Sequence, residues 1–331
     1  VYAEHLHDSE KGARCWKKIL EIDPKNGRAL RTLREHYVAA QAWDALYTLY
    51  ADADDWEGLV EVLGGVAERS SDDVLKVRLS FRAAEIYESR LDAPHRAFRS
   101  YERVLSVEPR NVRAATALVP IYERMEKWPR LMAMLELLLE EKGAELGEQE
   151  SLDGLERLRR LALERLGDAK RSLRFAVEAF KKAPGRSETL AHLEESARAA
   201  EALDTLSQLL EARLDEEIGV DEEMHLRRKL TDIYEGNLRR PERAAEHYWK
   251  ILAQLPGDAR ALEMLDRYYR SEKRAEDLRR LLEHRLEYAS SDEARYACLL
   301  ELARVSEQLL NDEGDATRRY FEALEIRAND A

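Results

Sequence analysis

The stretch AFRSYERVLSVEPRN, residues 97–111, decides the fold. Ala97, Tyr101 and Val104 follow one another at intervals of four and three residues, which places them on one face of an α-helix. Pro109 ends that helix, because proline has no backbone N–H to donate inside a helix. The pattern predicts an amphipathic helix that stops at Pro109, with another helix beginning just beyond it.

The same pattern occurs four more times along the chain. Its proline recurs at Pro24, Pro184 and Pro256, and Ala328 stands at the fifth landmark position. The intervals between successive landmarks are eighty-five, seventy-five, seventy-two and seventy-two positions, so the underlying period is the shortest of these. Self-similarity at a fixed period is the signature of a repeat architecture.

Apolar and small residues keep a fixed distance from each landmark. Leucine stands eighteen positions before it, at Leu6, Leu91, Leu166, Leu238 and Leu310. A small residue stands twelve positions before it, at Gly12, Ala97, Ser172, Ala244 and Ala316. Leucine stands nine positions after it, at Leu33, Leu118, Leu193 and Leu265, and tyrosine thirteen positions after it, at Tyr37, Tyr122 and Tyr269. These spacings predict helical stripes that pack together.

The longer first interval contains an insertion. Trp43-Asp44-Ala45-Leu46 is echoed thirteen positions later by Trp56-Glu57-Gly58-Leu59, which predicts an extra short helix over residues 43–55. Three further residues fall in the glycine-containing connection 143–154. Each unit has room for two antiparallel helix hairpins. We expect a single solenoid over 1–331, with units of about 1–71, 72–150, 151–219, 220–291 and 292–331.

Composition and charge fit a helical protein and exclude some partners. Of the 331 residues 44% are hydrophobic and 37% charged, and no strand-like alternation is visible. The net charge is −13 and the pI about 5.3, so the chain has no basic field with which to bind phosphate backbones. We expect no nucleic-acid partner and no membrane insertion.

The two cysteines bear on the cellular compartment. Cys15 and Cys298 lie far apart, so a disulfide framework is not expected, which favours a reducing cytoplasm. The sequence begins at Val1, and Tyr2 already occupies a repeat position. We therefore interpret the chain as part of a longer solenoid, and this interpretation leaves a periplasmic location open.

These residues resemble the tetratricopeptide repeat (TPR) family. Ala97, Tyr101, Val104 and Pro109 match the second helix of the family's hairpin, and Leu118 with Tyr122 matches the first helix of the next one. The resemblance implies an all-α, right-handed superhelical α-solenoid of stacked antiparallel hairpins. It is a divergent resemblance with a long, two-hairpin superrepeat, because leucines stand where a small residue is typical, at Leu59, Leu131, Leu206 and Leu278.

The resemblance implies a non-catalytic protein–protein interaction scaffold, since proteins of this family bind peptides or partner proteins on their concave face. The alternative is a sensor or regulatory arm of a larger multidomain enzyme or signalling protein, with its catalytic domain outside this sequence. A third possibility is end-to-end self-association, because the ends of a solenoid leave apolar faces uncovered.

Candidate binding residues follow from the register of the family's groove. The cationic residues four and fourteen positions after the landmarks are Arg28, Arg113, Arg198, Arg260 and Arg270. Such a stripe would suit an acidic peptide or a carboxylate terminus through bidentate pairing. The alternative is ion pairing with glutamates on exposed helix faces. Tyr268 is a further candidate, because its neighbour Tyr269 occupies the core register.

No motif for chemistry is present. The sequence has no Gly-rich phosphate loop, no His-Glu-x-x-His and no Cys-x-x-Cys. His5 and His7 are two residues apart and point to different sides of a helix. His192 and Glu195 share a face but lack a third and a fourth ligand. We predict no cofactor, no metal site and no catalytic residue.

Overall fold

The structure, a computed structural model, describes residues 9–328, and within that range the chain forms eighteen α-helices and no strand. The first nine are α1 (Ser9–Ile22), α2 (Gly27–Ala39), α3 (Trp43–Asp52), α4 (Trp56–Arg69), α5 (Asp73–Ser89), α6 (Phe98–Val107), α7 (Val112–Arg124), α8 (Trp128–Lys142) and α9 (Glu148–Arg160). The others are α10 (Ala169–Lys182), α11 (Ser187–Ala199), α12 (Leu203–Leu214), α13 (Val220–Asp232), α14 (Pro241–Gln254), α15 (Ala259–Ser271), α16 (Ala275–Glu287), α17 (Asp292–Gln308) and α18 (Glu313–Ala328). The predicted all-α class is confirmed. Tyr2, His5, Leu6 and His7 lie outside the described residues.

Short helical segments of other kinds adjoin three of these helices. A π-helical turn, Leu161–Arg165, continues α9, and another, Ile233–Asn237, continues α13. A 3-10 turn, Pro94–Arg96, precedes α6. The two π-helical turns stand at the same distance before their landmark prolines, so they belong to the repeat.

The helices form two compact units that divide between Phe175 and Ala176, inside α10. In the first unit, α1 to α9 each pack against the helices before and after them in the sequence. The same holds for α11 to α18 in the second unit. Packing between sequence neighbours is the arrangement of a helical repeat protein. The boundaries of the five sequence units stay a prediction.

Three helices begin with the same cap. Asn26, Asn111 and Asp258 each stand two residues after a landmark proline and precede α2, α7 and α15. In each case a side-chain oxygen accepts a hydrogen bond of 2.9–3.1 Å from the backbone N–H three residues on. Such a cap satisfies one of the amides that the first turn of a helix leaves unpaired. The landmark proline ends one helix, and the residue two positions later starts the next.

The helix ends are equally regular. One residue with φ between 51° and 54° follows α2, α3, α7, α11 and α15, at Gln41, Asp54, Glu126, Glu201 and Lys273. A second set with positive φ precedes α6, α10, α14 and α18, at Asp92, Gly167, Arg239 and Asn311. After α7, the Lys127 N–H donates to the Tyr122 carbonyl and the Glu126 N–H to the Glu123 carbonyl, which is the Schellman arrangement. The turn after the inserted helix α3 therefore copies the turn after α2.

Gly167 and Lys273 occupy these left-handed turns and allow a test. We predict that Lys273→Gly raises the free energy of unfolding by about 0.5–1 kcal/mol, because a side chain in the left-handed region is strained and glycine is not. Gly167→Ala should lower it by about 1 kcal/mol, and its new methyl group meets no atom within 4 Å, so the cost is backbone strain alone. Urea denaturation of the two variants measures both changes. A Lys273→Gly variant that is less stable than the wild type would contradict the assignment.

The repeated apolar positions form the core. The leucines nine positions after the landmarks are completely buried: Leu33, Leu118, Leu193 and Leu265. The leucines that depart from the TPR pattern are at most 2% exposed: Leu59, Leu131, Leu206 and Leu278. They are core side chains, so the divergence from the family pattern belongs to the packing of the hairpins.

Ion pairs connect helices that are two apart in the sequence, which sorts the helices of the first unit into two layers. Arg82 on α5 pairs with Asp44 on α3 at 2.6 Å, and Arg113 on α7 pairs with Glu85 on α5 at 2.6 Å. Arg103 on α6 pairs with Glu68 on α4 at 3.8 Å. Because each helix packs against its sequence neighbours, the alternation extends along the unit. We call α3, α5, α7 and α9 the odd layer, and α2, α4, α6 and α8 the even layer.

Candidate partner-binding site

Arg28 and Arg113, the predicted site residues of the first unit, do not share a layer. Arg28 lies on α2, with its guanidinium carbon 5.9 Å from the Trp16 ring centre. Arg113 lies on α7, over the Phe81 ring at 4.4 Å and paired with Glu85. The inserted helix α3 causes the separation, because one additional helix moves α2 from the odd layer to the even layer.

The predicted site residues of the second unit lie on α11 and α15. Arg198 is 3.6 Å from Glu194, and Arg260 is bonded to Asp232. Arg270 binds both oxygens of Asp266, at 2.7 and 3.1 Å, and reaches Glu301 on α17 at 3.3 Å. Tyr268 is half-buried, with its ring 5.5 Å from that of Tyr269.

Arg113, Arg198, Arg260 and Arg270 therefore already have carboxylate partners. The hydrogen bond to Asp232 raises the pKa of the Arg260 guanidinium, and the hydrogen bond to Asp266 does the same for Arg270. A ligand carboxylate would have to compete with these partners. The role of the predicted arginines in binding stays a prediction. Arg113, Arg260 and Arg270 pair with carboxylates of other helices, whereas Arg198 pairs within α11.

A cleft opens where α8 begins, between the odd-layer helices α7 and α9. Its volume is about 480 Å³. We call it the Trp128 cleft. Its lining residues are Glu123, Trp128, Leu131, Asp153, Glu156, Arg157, Arg160, Leu161, Glu164 and Arg165. Trp128 is half-buried and Leu131 is buried, while most of the charged side chains around them are exposed. The cleft thus combines an apolar floor with a charged rim.

The three arginines that line the cleft interact with different partners. Arg157 Nη2 bonds to both oxygens of Glu123 at 3.0 and 3.1 Å, and Arg160 Nε bonds to Glu164 at 3.3 Å. The guanidinium of Arg165 instead lies 5.0 Å from the centre of the Trp128 ring. Arg165 has no carboxylate partner among residues 9–328. Its charge is held by an indole and remains available at the rim.

The corresponding place in the second unit has lost these features. Leu203 stands as far after Pro184 as Trp128 stands after Pro109, and Asn237 stands as far before Pro256 as Arg165 stands before Pro184. Leu203 and Asn237 line a cleft of only about 90 Å³, together with Leu206 and Lys229. Without the indole and the guanidinium, the second-unit cleft can supply neither an aromatic anchor nor an unpaired cation.

The equivalent position earlier in the first unit, at Trp56 and Arg90, has both the tryptophan and the arginine. Arg90, at the end of α5, lies 5.0 Å from the centre of the Trp56 ring, the same distance as in the Trp128 cleft. Arg90 also has no carboxylate partner in the described part of the chain. The Trp56 ring is 5.3 Å from that of Tyr47 on the inserted helix, and its Nε1–H donates to Asp54 at 2.7 Å.

Sequence reasoning missed Trp128, Arg165 and Arg90. The repeat register contains a signal that could have found them, since Trp56 and Trp128 begin equivalent helices and Arg90 and Arg165 end equivalent helices. The pairing itself could not be read from the sequence, because the two members of each stack are more than thirty positions apart.

The described part of the chain offers neither a metal centre nor a membrane span. Among residues 9–328, no three His, Cys, Asp or Glu side chains are placed to hold one metal ion. His192 and Glu195 lie on α11, and His5 and His7 fall outside the described range. None of the described helices combines the length and the apolar character that a membrane span requires.

His247 is a buried histidine that does not line the cleft. His247 on α14 is 7% exposed and stacks on Tyr234 at 5.9 Å. Its Nδ1 is 3.4 Å from Arg227, and its Nε2 is 3.6 Å from Glu211, which is beyond hydrogen-bond distance. Burial lowers the pKa of His247 below its ordinary value, and the nearby Arg227 lowers it further. The ring occupies the register of the buried Phe175, so it serves as a neutral core side chain.

His247 predicts a pH dependence of stability. Because its pKa is lower in the folded state, the unfolded state binds more protons as the pH falls below about 6.5, and stability is lost in that range. His247→Phe should therefore lose less thermal stability than the wild type between about pH 7.5 and 5.5. Thermal unfolding followed by circular dichroism measures this difference. His225→Gln, at an exposed position, is the control and should behave like the wild type; an equal loss in His247→Phe would contradict the prediction.

Comparisons with known proteins add only distant similarities. No family model matches this sequence, and a search of curated proteins gives no significant match. The chain is similar to a chain of the Naa15/Naa10 complex bound to HypK-THB, at 15% identity and a TM-score of 0.30, over 96% of this chain and 56% of that one. It is also similar to a thermophilic TPR protein of Thermus thermophilus, at 15% identity and a TM-score of 0.22, over 58% and 91%. A TPR protein from Parabacteroides merdae gives 14% identity and a TM-score of 0.26, over 80% and 93%.

Scores this low assign no function to the chain, which spans little more than half the length of the first of these proteins. The class follows from the chain's own geometry. Repeated hairpins, shared helix ends and a shared core register define an all-α helical repeat protein. Its repeat is the two-hairpin unit between successive landmarks, and the first repeat carries the additional helix α3.

Proposed function

We propose that this chain is a non-catalytic protein–protein interaction scaffold that binds an extended segment of a partner protein along the odd layer of the first unit. The observation that carries the proposal is the Trp128 cleft, where a half-buried indole faces a volume of about 480 Å³ inside a charged rim. This layer corresponds to the face that the sequence predicts to be concave. The same surface would serve equally in a free scaffold or in the docking arm of a larger protein.

The residue types of the Trp128 cleft suit it to be the anchor. Tryptophan and arginine are the residues that most often dominate the binding energy of protein interfaces, especially at the centre of a patch with a polar rim. Trp128 and Arg165 stand in such a place. Arg113 belongs to the same odd layer and is a candidate flanking contact, whereas Arg28 lies in the even layer and would contact a partner from another side.

The arginines of the second unit form a separate candidate surface. Arg198, Arg260, Arg270 and Tyr268 lie on odd-numbered helices of that unit, with the arginine charges engaged by neighbouring carboxylates. A partner could contact them only by exchanging those ion pairs. Exposed ion pairs are worth at most about 1 kcal/mol, so such an exchange is energetically small. We therefore assign them a secondary role in partner binding.

The proposal predicts the behaviour of Trp128→Ala. Removal of the indole should weaken partner binding by at least about 30-fold, as expected for a tryptophan hot spot worth about 2 kcal/mol or more. Affinity capture of a binding protein, followed by titration with the purified binder, measures the change. Leu203→Ala, at the equivalent position of the second unit, is the matched control and should bind like the wild type. Equal binding by Trp128→Ala and the wild type would rule out the cleft as the anchor.

Self-association is a second candidate function, favoured by the apolar face of α18. Phe321 and Leu324 are 64% and 61% exposed, although their equivalents on α14, Trp249 and Leu252, are covered by later helices. We predict that Phe321→Asp with Leu324→Asp lowers any dimerisation by about 10-fold or more, because a charge cannot be buried unpaired in an apolar contact. Sedimentation velocity over a concentration series measures this. A wild-type chain that remains monomeric throughout would refute this candidate.

A further inference from the structure

The arginines that stack on tryptophan differ from the ion-paired arginines of the structure, because they have no carboxylate partner in the described part of the chain. Among the described residues, four guanidinium groups lie within 6 Å of an indole ring centre: Arg28 on Trp16, Arg90 on Trp56, Arg165 on Trp128 and Arg280 on Trp249. None of these four is paired with a carboxylate of residues 9–328. In contrast, Arg82, Arg113 and Arg157 of the odd layer are ion-paired. Arg78 and Arg124 of the same layer have neither an indole nor a carboxylate partner among residues 9–328.

Two of the four stacks are repeats of each other. The interval from Arg90 to Arg165 equals the interval from Pro109 to Pro184, so the two arginines share one register position. Both guanidinium groups lie 5.0 Å from their indole, and both arginines are exposed. Each stack stands where an odd-layer helix, α5 or α9, ends beside the tryptophan that begins the preceding even-layer helix, α4 or α8.

An arginine stacked on an aromatic ring has its charge fixed without its donors being used. The face of the guanidinium contacts the ring, while the N–H groups at its edge point outward in the fork that matches a carboxylate. The ring also restricts the rotamers of the arginine, so less entropy is lost when a ligand binds. Arg90 and Arg165 are thus two preorganised carboxylate sites within one unit.

We propose that the partner segment is acidic and carries two Asp or Glu side chains, one bound by Arg90 and one by Arg165. This inference rests on the proposed function and names the chemistry of its ligand. The two arginines belong to α5 and α9, which are separated in the odd layer by α7 alone. Neighbouring packed helices are about 8–10 Å apart, so the two sites are roughly 16–20 Å apart. An extended peptide rises about 3.3–3.6 Å per residue, which places the two acids about five or six residues apart.

The net charge of −13 disfavours anionic ligands in general, so this binding depends on the groups close to each site. Charges beyond a Debye length of about 8 Å are largely screened at physiological ionic strength, so the ligand responds mainly to the groups around it. Among the carboxylates that line the Trp128 cleft, Glu123, Glu164 and Glu156 are paired with Arg157, Arg160 and Arg159. Asp153 accepts a hydrogen bond from the Gln149 amide and keeps its negative charge. The uncompensated cation at the rim is Arg165, and its counterpart at the other stack is Arg90.

Phage display tests the proposal. A library of linear twelve-residue peptides is selected on the immobilised full chain, and the enriched peptides are synthesised and titrated by fluorescence polarisation. We expect enriched sequences to contain two acidic residues about five or six positions apart. Arg90→Gln and Arg165→Gln should each weaken these peptides by about 10-fold, as expected for the loss of charge-assisted hydrogen bonds. Arg165→Lys should recover only part of the affinity, because an ammonium lacks the bidentate fork.

Two controls separate the possible failures. Arg280→Gln removes a stacked arginine of the second unit and should leave binding unchanged, and circular dichroism verifies that all variants are folded. Peptides without paired acids that still require Trp128 would overturn the acidic-ligand inference and leave the scaffold proposal supported. Enrichment that is insensitive to Trp128→Ala, Arg90→Gln and Arg165→Gln, or no enrichment at all, would overturn both.

Discussion

The structure depends on the burial of one apolar stripe of each helix against its neighbours in the sequence. A single amphipathic helix of 10 to 17 residues cannot bury its stripe alone and is marginal in water. Leu118 is completely buried because α7 lies between α6 and α8, and Leu265 is completely buried because α15 lies between α14 and α16. Stability in such an array is approximately a sum of repeats and the interfaces between them. Each hairpin therefore needs the next one, and the repeat register has to be kept wherever a hairpin follows another.

The inserted helix α3 gives the first repeat an odd number of helices, and this changes the layer in which the preceding helix lies. The turn at Asp54 has the same left-handed geometry as the turn at Gln41, so the chain reverses direction once more than in the other repeats. The layers exchange as a result. α3 has the sequence register of an even-layer helix, yet its Asp44 binds Arg82 of α5 as an odd-layer helix does. α2 keeps the core leucine and tyrosine of its register but lies in the opposite layer.

The sequence predicted the helices and their ends well, because those depend on local chemistry that repeats. Pro109 with Asn111 specifies a helix end and a helix start within three residues, and the register of Leu118 identifies a core position without any knowledge of its contacts. The position of Arg28 was not predictable in the same way. Its layer depends on how many helices lie between it and Arg113, so a correct local alignment gave two residues that do not share a face.

The candidate site was less predictable, because it depends on which partner each charge finds. The sequence alone does not show which partner Arg113 or Arg165 contacts. In the folded chain Arg113 has both an aromatic ring and Glu85, while Arg165 has Trp128 alone. Pairs such as Arg113–Glu85 join residues 28 positions apart and cannot be counted from composition.

This difference favours the unpaired cations of an acidic scaffold as the ones that recognise a ligand. An arginine that crosses between two helices of one layer contributes to holding them together, and its donors are occupied. An indole also orients a guanidinium through its face but leaves the hydrogen-bonding edge unoccupied. In a protein with 67 acidic and 54 basic side chains, most cations find an acidic neighbour. An arginine that stacks on tryptophan has no carboxylate partner in the described part of the folded chain. Its charge can therefore contribute to the recognition of an anionic partner.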